Sequence, residues 1–216
     1  LVLIVLARSE GAYQLKVREL RLEIPLIKEI VRIGFPAALQ QMITSFSNVF
    51  VQSYINGFGS SVMAGWSAYS KIDQFMMLPM QSVALATTTF TGQNFGAKKM
   101  TRIKKGTKSA LVLAEIVTVT FMIPLMVFAS PLVKLFNNEA EVLYYGTMFL
   151  RILSPFYMLC CLNQIYASTL RGLGDTKAPM FIMLGSFVVF RQIYLFTVSR
   201  VFGTLLPVAF GYPAGW

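Results

Sequence analysis

The stretch from Ile33 to Phe58 contains no charged residue. About 20 consecutive apolar residues are enough to cross the hydrocarbon core of a bilayer as a helix. Four comparable runs follow. They cover about 61–95, broken only by Lys71 and Asp73; about 109–133, with Glu115; about 142–170, with Arg151; and about 178–201, with Arg191. A sixth run begins near position 204 and continues to Trp216. The pattern predicts an all-α, polytopic membrane bundle of five complete and two partial transmembrane helices. One partial helix is the run after Gly203, and the other is the opening run Leu1 to Ala7, read as the end of an upstream helix.

Composition agrees with a surface facing lipid. Hydrophobic residues make up 56% of the 216 and charged residues 13%, roughly half the charged share of a soluble domain. The formal net charge of +10 raises the question of nucleic acid, and the placement of the charges answers it. Fourteen of the 19 basic residues fall in alternate connections: Arg8 to Arg32 before the first run, Lys98 to Lys108 after the second, and Arg171 with Lys177 after the fourth. The intervening connections carry almost none. Basic residues accumulate on the cytoplasmic side of a membrane, so the first, third and fifth spans are expected to run outward. The charge needs no nucleic acid partner.

The expected organisation is an upstream helix end over 1–7, a cytoplasmic linker over 8–32, and a transmembrane lobe over 33–216. Within the linker, apolar residues from Leu22 to Val31 alternate with Arg21, Glu23, Lys28, Glu29 and Arg32. That segment reads either as an amphipathic helix in the interface or as an extension of the first span. The absence of a leading Met, and the apolar runs at both ends, lead us to expect a fragment.

The chain contains no His, and its two Cys, Cys160 and Cys161, are adjacent within an apolar run. The commonest general base and metal ligand are therefore missing, and no metal-binding spacing or disulfide framework is present. Gly92, Gly96, Gly106, Gly172 and Gly174 punctuate the basic connections, but none forms a phosphate-binding motif after a strand. No catalytic residue, metal site or cofactor is expected, and the chain is not read as an enzyme.

Residues able to carry a transport mechanism fall into two groups. The ionisable residues inside the spans are Lys71, Asp73, Glu115, Arg151 and Arg191. Such groups cost about 2.5–3.5 kcal/mol at a bilayer centre on insertion scales and normally face the interior of a bundle. Asp73 is a candidate for exchanging a proton, or for a structural ion pair with Arg151 or Arg191. Glu115 lies near the basic connection and is expected to snorkel toward the interface. The second group is uncharged. Gln40, Gln41, Thr44, Asn48 and Gln52 recur every three or four residues along the first span, with Asn163 and Gln164 on the fourth. In lipid these groups need partners on other helices or a watery cavity. Met76, Met77 and Met80 are read as packing residues, and Pro36, Pro79, Pro124 and Pro155 mark kinks or hinges within the spans.

Gly34-Phe35-Pro36 opens one span, and Gly92-Gln93-Asn94-Phe95-Gly96-Ala97 closes the next. Leu170-Arg171-Gly172-Leu173-Gly174-Asp175-Thr176 follows the fourth. In order and spacing these resemble the C-terminal lobe of the multidrug and toxic compound extrusion (MATE) family over about residues 20–216. The resemblance implies a twelve-helix carrier of two pseudo-symmetric lobes in a plasma membrane, in a bacterium the inner or cytoplasmic membrane. Such a carrier exports drugs or organic cations in exchange for H+ or Na+. Its partners would be the lipid bilayer, the substrate and an N-terminal lobe of the same chain. Some members place acidic cation-binding residues on the seventh and tenth helices, at positions that fall here near Thr44 and Cys160, neither of which is a carboxylate. Cation coupling would then rest on Asp73 or on the other lobe. A lipid-linked sugar flippase of the same broad superfamily and a non-transporting scaffold are the alternatives.

Overall fold

The structure is a computed structural model and describes residues 22–216. The expectations for residues 1–21 lie outside the described residues. The chain divides into two units, residues 1–35 and residues 36–216. In the first, the described part is helical from Ile24 onward, so the later part of the expected linker is helix.

Helix α1 covers Ile24–Asn56, α2 Ser60–Gly96 and α3 Met100–Val127, with a short α4 at Ala129–Lys134. Helices α5 (Ala140–Leu153) and α6 (Tyr157–Gly172) form one span interrupted by a 3-10 turn, Ser154–Phe156. Pro155 lacks a backbone N–H and so cannot continue the helical ladder at that turn. Helix α7 (Lys177–Met183) leads through a π-helical stretch, Leu184–Phe190, into α8 (Arg191–Val201). A short α9 (Leu205–Ala209) and a 3-10 turn at Pro213–Gly215 complete the order. No strand occurs among the described residues.

Three segments are long and apolar enough to cross a membrane by length and hydropathy: Met100–Val127, Ala140–Gly172 and Lys177–Val201. Helices α1 and α2, with 33 and 37 residues, have the length but carry polar stripes that dilute their apolar character. Those same stripes face the cavity described below.

Helix α2 is the centre of the bundle and packs on α3, α5 and α6. Glycines allow two of these approaches. A Cβ at Gly65 would lie 2.9 Å from the backbone nitrogen of Gly146, so α2 and α5 meet backbone to backbone. A Cβ at Gly172 would lie 2.6 Å from Cβ of Thr91 and 2.7 Å from the Thr88 carbonyl, which seats the end of α6 on α2. The core comprises Trp66, Tyr69, Phe149, Leu150, Leu153 and Tyr157 with their neighbours. Phe46, Phe75, Leu85 and Ile116 stand exposed on the outside, as expected of side chains whose solvent is lipid.

The connections alternate between two ends. Gly92 lies beside Gly172, and the Thr107 and Thr169 hydroxyls are 3.3 Å apart, so the basic connections after α2 and after α6 share one end. At the other end the Ser61 hydroxyl donates to Glu141 at 2.7 Å, bringing together the turns that precede α2 and α5.

Candidate functional site

The polar side of α1 and a parallel stripe on α2 enclose an open cavity of about 520 Å³ within the unit of residues 36–216. On α1 the stripe is Gln40, Gln41, Thr44, Asn48 and Gln52; on α2 it is Ser70, Asp73, Gln74, Met77 and Gln81. Each follows the helical repeat of three or four residues that keeps side chains on one face. Helix α6 adds Cys160, Asn163, Gln164 and Arg171. The aromatic part of the wall is Trp66, Phe187, Tyr212 and Trp216. The volume falls in the range of small-molecule sites, about 300–1,000 Å³.

Asp73 supplies the carboxylate of this wall and is 4% exposed. Its Oδ1 accepts from the Tyr157 hydroxyl at 2.6 Å and the Tyr69 hydroxyl at 3.4 Å, and its Oδ2 accepts from the Tyr212 hydroxyl at 2.9 Å. Three neutral donors thus hold the group, and neither Arg151 nor Arg191 reaches it. In place of the ion-pair alternative, a tyrosine cage surrounds the group. Removing a carboxylate from water costs several kcal/mol, and hydrogen bonds to a charged group return about 1.5–3 kcal/mol each. Three hydroxyls therefore offset part of that cost without a cation. The tyrosines are fixed in turn by an aromatic cluster: Trp66 packs edge-on against Tyr212 at 5.5 Å and against Phe149 at 5.1 Å, and Tyr157 stacks on Trp216 at 5.7 Å.

The other intramembrane charges lie elsewhere. Arg191 is fully buried; it donates to Asn48 at 2.8 Å, to Ser47 at 3.2 Å and to the carbonyl of Tyr212. Lys71 is exposed, with its Nζ 5.2 Å from the centre of the Phe136 ring. Arg151 is exposed beside a separate depression with Ser130 and Thr147. Glu115 is half-buried and does not line the cavity; its Oε2 is enclosed without a hydrogen-bond partner. The carried-over positions Thr44 and Cys160 do line the cavity with Asp73. Thr44 donates to the Gln40 carbonyl at 3.0 Å, and Cys160 and Cys161 are free, buried thiols. Of the methionines, Met77 lines the cavity while Met76 and Met80 are packed in the core.

A family model described as MatE matches residues 36–197, three quarters of the chain. The chain belongs to the MatE family. Among curated relatives, this MatE chain is 27% identical over 193 residues to the "Probable multidrug resistance protein YoeA" of Bacillus subtilis (strain 168), covering 89% of the chain and 39% of that protein. It is 23% identical over 175 residues to the "Probable multidrug resistance protein NorM" of Thermotoga maritima, covering 81% of the chain and 38% of that protein. A solved outward-facing multidrug resistance MATE family transporter superposes with a TM-score of 0.86 at 21% identity, covering 99% of this chain and 49% of that one. A MATE in complex with MaL6 gives 0.87 at 20% identity, with the same coverage. These structures share the fold: a multi-pass helical membrane bundle. The chain spans about two fifths of the length of the curated relatives it matches and about half of the solved chains.

The glycine-rich motif after α6 that carries the sequence resemblance has visible structural work in this MatE chain. Gly172 is the contact of α6 with α2, and Gly174 adopts φ +86°, a left-handed conformation that suits glycine. Asp175 accepts from the backbone N–H groups of Lys177 and Ala178 at 3.1 and 3.0 Å, starting α7. Several residues of the cavity wall were missed from sequence. The α2 stripe of Ser70, Gln74 and Gln81 has the same spacing as the α1 stripe and could have been read with it. The cage of Tyr69, Tyr157 and Tyr212 joins three segments and has no local signature.

Proposed function

We propose that this chain is one lobe of a secondary antiporter that exports drugs or organic cations in exchange for H+ or Na+. Its substrate or ion path is the cavity bounded by Gln40, Gln41, Thr44, Asn48, Asp73, Cys160, Asn163 and Gln164. The observation that carries the reading is the Asp73 carboxylate, held by three tyrosine hydroxyls in the wall of a cavity that an organic cation can fill. A cation entering there meets one negative charge and the faces of Trp66, Tyr212 and Trp216, to which cations are attracted by the ring quadrupole. The surrounding amides offer donors and acceptors without fixing a single shape, which suits a permissive site. The multidrug resistance names of the curated relatives support the same reading. No cofactor is required, and the energy comes from the ion gradient. The second lobe, the lipid bilayer and the substrate are the partners, and the bacterial relatives support placement in a cytoplasmic membrane.

A sugar flippase handling pyrophosphate would need several basic residues around its cavity. Arg171 is the only one among the described lining residues, so that alternative receives little support.

The chain's two tryptophans, Trp66 and Trp216, both line the cavity, which supplies a binding test. In the full-length protein a fluorescent-silent organic cation should quench tryptophan emission. Trp66→Phe should remove a large part of that quenching, and Asp73→Asn should weaken the affinity by about tenfold or more, equivalent to about 1.4 kcal/mol. Unchanged affinity in Asp73→Asn would remove the carboxylate from the site.

A further inference from the structure

The feature that the proposed function leaves unused is Arg191, a fully buried guanidinium whose recorded side-chain hydrogen bonds go to no carboxylate. Its place is set by the π-helical stretch Leu184–Phe190, after which the Arg191 backbone N–H bonds to the carbonyl of Ser186, five residues back. Such wide turns rotate the following side chain relative to a regular helix and often occur at functional sites. Here the rotation places the guanidinium 4.2 Å from the centre of the Phe187 ring and against α1.

On α1, Arg191 donates to Ser47 and Asn48, and Ser47 in turn donates to the Phe187 carbonyl at 2.8 Å. The remaining side-chain bonds from α1 to other elements of residues 36–216 lie one to two turns away, where Gln40 and Thr44 meet Met183 and Gln40 accepts from Arg171 at 3.3 Å. Helix α1 is thus pinned at two levels, and Arg191 is the centre of one. Gly215 closes over the guanidinium: a Cβ there would lie 2.7 Å from Nε, so a larger residue would push the guanidinium from this seat.

One residue touches both the pin and the carboxylate. Tyr212 accepts from Arg191 through its backbone carbonyl and donates its hydroxyl to Oδ2 of Asp73 at 2.9 Å. We propose that Arg191 is the positioning residue that seats α1 on the cavity, and that Tyr212 links this seat to whether Asp73 keeps its hydroxyl partner or exchanges it for a cation. The linkage rests on the reading of Asp73 as the cation site. A cation approaching Oδ2 competes with the Tyr212 hydroxyl. Once that bond is released, the Tyr212 ring, 5.7 Å from the guanidinium centre, keeps its aromatic packing on Trp66 and Trp216, and the carbonyl that holds Arg191 can shift with it. Asn48 and Ser47 then lose a fixed donor, and the α1 wall can part from α8. Tyr69 and Tyr157 reach only Oδ1 and make no recorded hydrogen bond to Arg191, so they hold the carboxylate without carrying the link.

The test uses the full-length protein in bilayers with spin labels at Phe46→Cys on α1 and Phe196→Cys on α8, both exposed positions, and with Cys160 and Cys161 replaced by Ser. Pulsed dipolar spectroscopy then reads the distance between α1 and α8. Arg191→Gln should shift or broaden the distribution by about 2 Å or more, the scale of helix displacements at packed interfaces. Arg191→Lys, which keeps the charge but cannot span Asn48, Ser47 and the Tyr212 carbonyl together, should produce a smaller change in the same direction. Asp73→Asn should shift the distribution when Tyr212 is present and leave it unmoved in a Tyr212→Phe background. An unchanged distribution in Arg191→Gln overturns the positioning role. An equal response to Asp73→Asn with and without the Tyr212 hydroxyl, or no response in either, overturns the link. If Asp73→Asn leaves ion-driven efflux intact, the reading of Asp73 as the cation site fails, and the distance measurements stand apart from that result.

Discussion

Gly92 and Gly172 face each other where α2 meets the end of α6, and the structure assigns them opposite tolerances. A methyl group at Gly172 would lie 2.6 Å from Thr91 Cβ and 2.7 Å from the Thr88 carbonyl. Carbon atoms prefer separations of about 3.5–4.0 Å, so the helices would have to part by about 1 Å. That movement also breaks the bond from the Thr88 hydroxyl to the Ser168 carbonyl, now 3.1 Å long. Overpacking costs about 1–3 kcal/mol and a lost hydrogen bond about 1 kcal/mol, so Gly172→Ala should destabilise the protein by about 2–4 kcal/mol. A methyl group at Gly92 would instead lie 3.5 Å from the Gly172 carbonyl, an ordinary contact. Inside a helix, replacing glycine by alanine is worth about 1 kcal/mol, so Gly92→Ala should be neutral or stabilising. Both variants of the full-length protein would be unfolded reversibly in mixed micelles and their midpoints ranked. If Gly172→Ala matches the wild type, or Gly92→Ala is the less stable of the two, the close approach of α2 and α6 described here is wrong.

Three further outcomes follow from individual side chains. Lys98 adopts a φ of 57°, which costs a non-glycine residue about 1–2 kcal/mol, so Lys98→Gly should raise the unfolding midpoint; a fall would show that its charge matters more than its backbone. Glu115 lies off the cavity, so Glu115→Gln should leave efflux rates within about twofold of wild type, which transport at matched expression would check. Tyr157→Phe removes the 2.6 Å donor to Asp73 while keeping the stack on Trp216, and should weaken organic-cation binding less than Asp73→Asn does, as read by the tryptophan-quenching titration.

Three of the expected runs, Met100–Val127, Ala140–Gly172 and Lys177–Val201, were legible as spans because apolar length is a local property and lipid punishes any exception. The alternation of basic connections was legible for the same reason, and the shared end of Gly92 and Gly172 agrees with it. The polar stripe of α1 could be read from spacing, but its destination could not, since Gln40 and Ser47 find partners more than a hundred positions away. Asp73 was legible as a charge inside a span. Its partners were not, because tyrosine is ordinary in membrane helices and three of them converge only through the crossing of α2 with α6 and the turn after α9. Arg191 was legible as an intramembrane charge, whereas its seat depends on the π-helical stretch before it, for which a run such as Leu184–Phe190 gives no periodic signal.

The most direct test of the central claim is efflux of a fluorescent organic cation from proteoliposomes containing the full-length protein, with a proton or a sodium gradient imposed separately. Efflux driven by one of the two gradients is expected in the wild type, and its loss in Asp73→Asn at matched folding. Equal gradient-driven efflux in Asp73→Asn would contradict the assignment of the cation site to Asp73, and no efflux under either gradient in the well-folded wild type would contradict the antiporter itself.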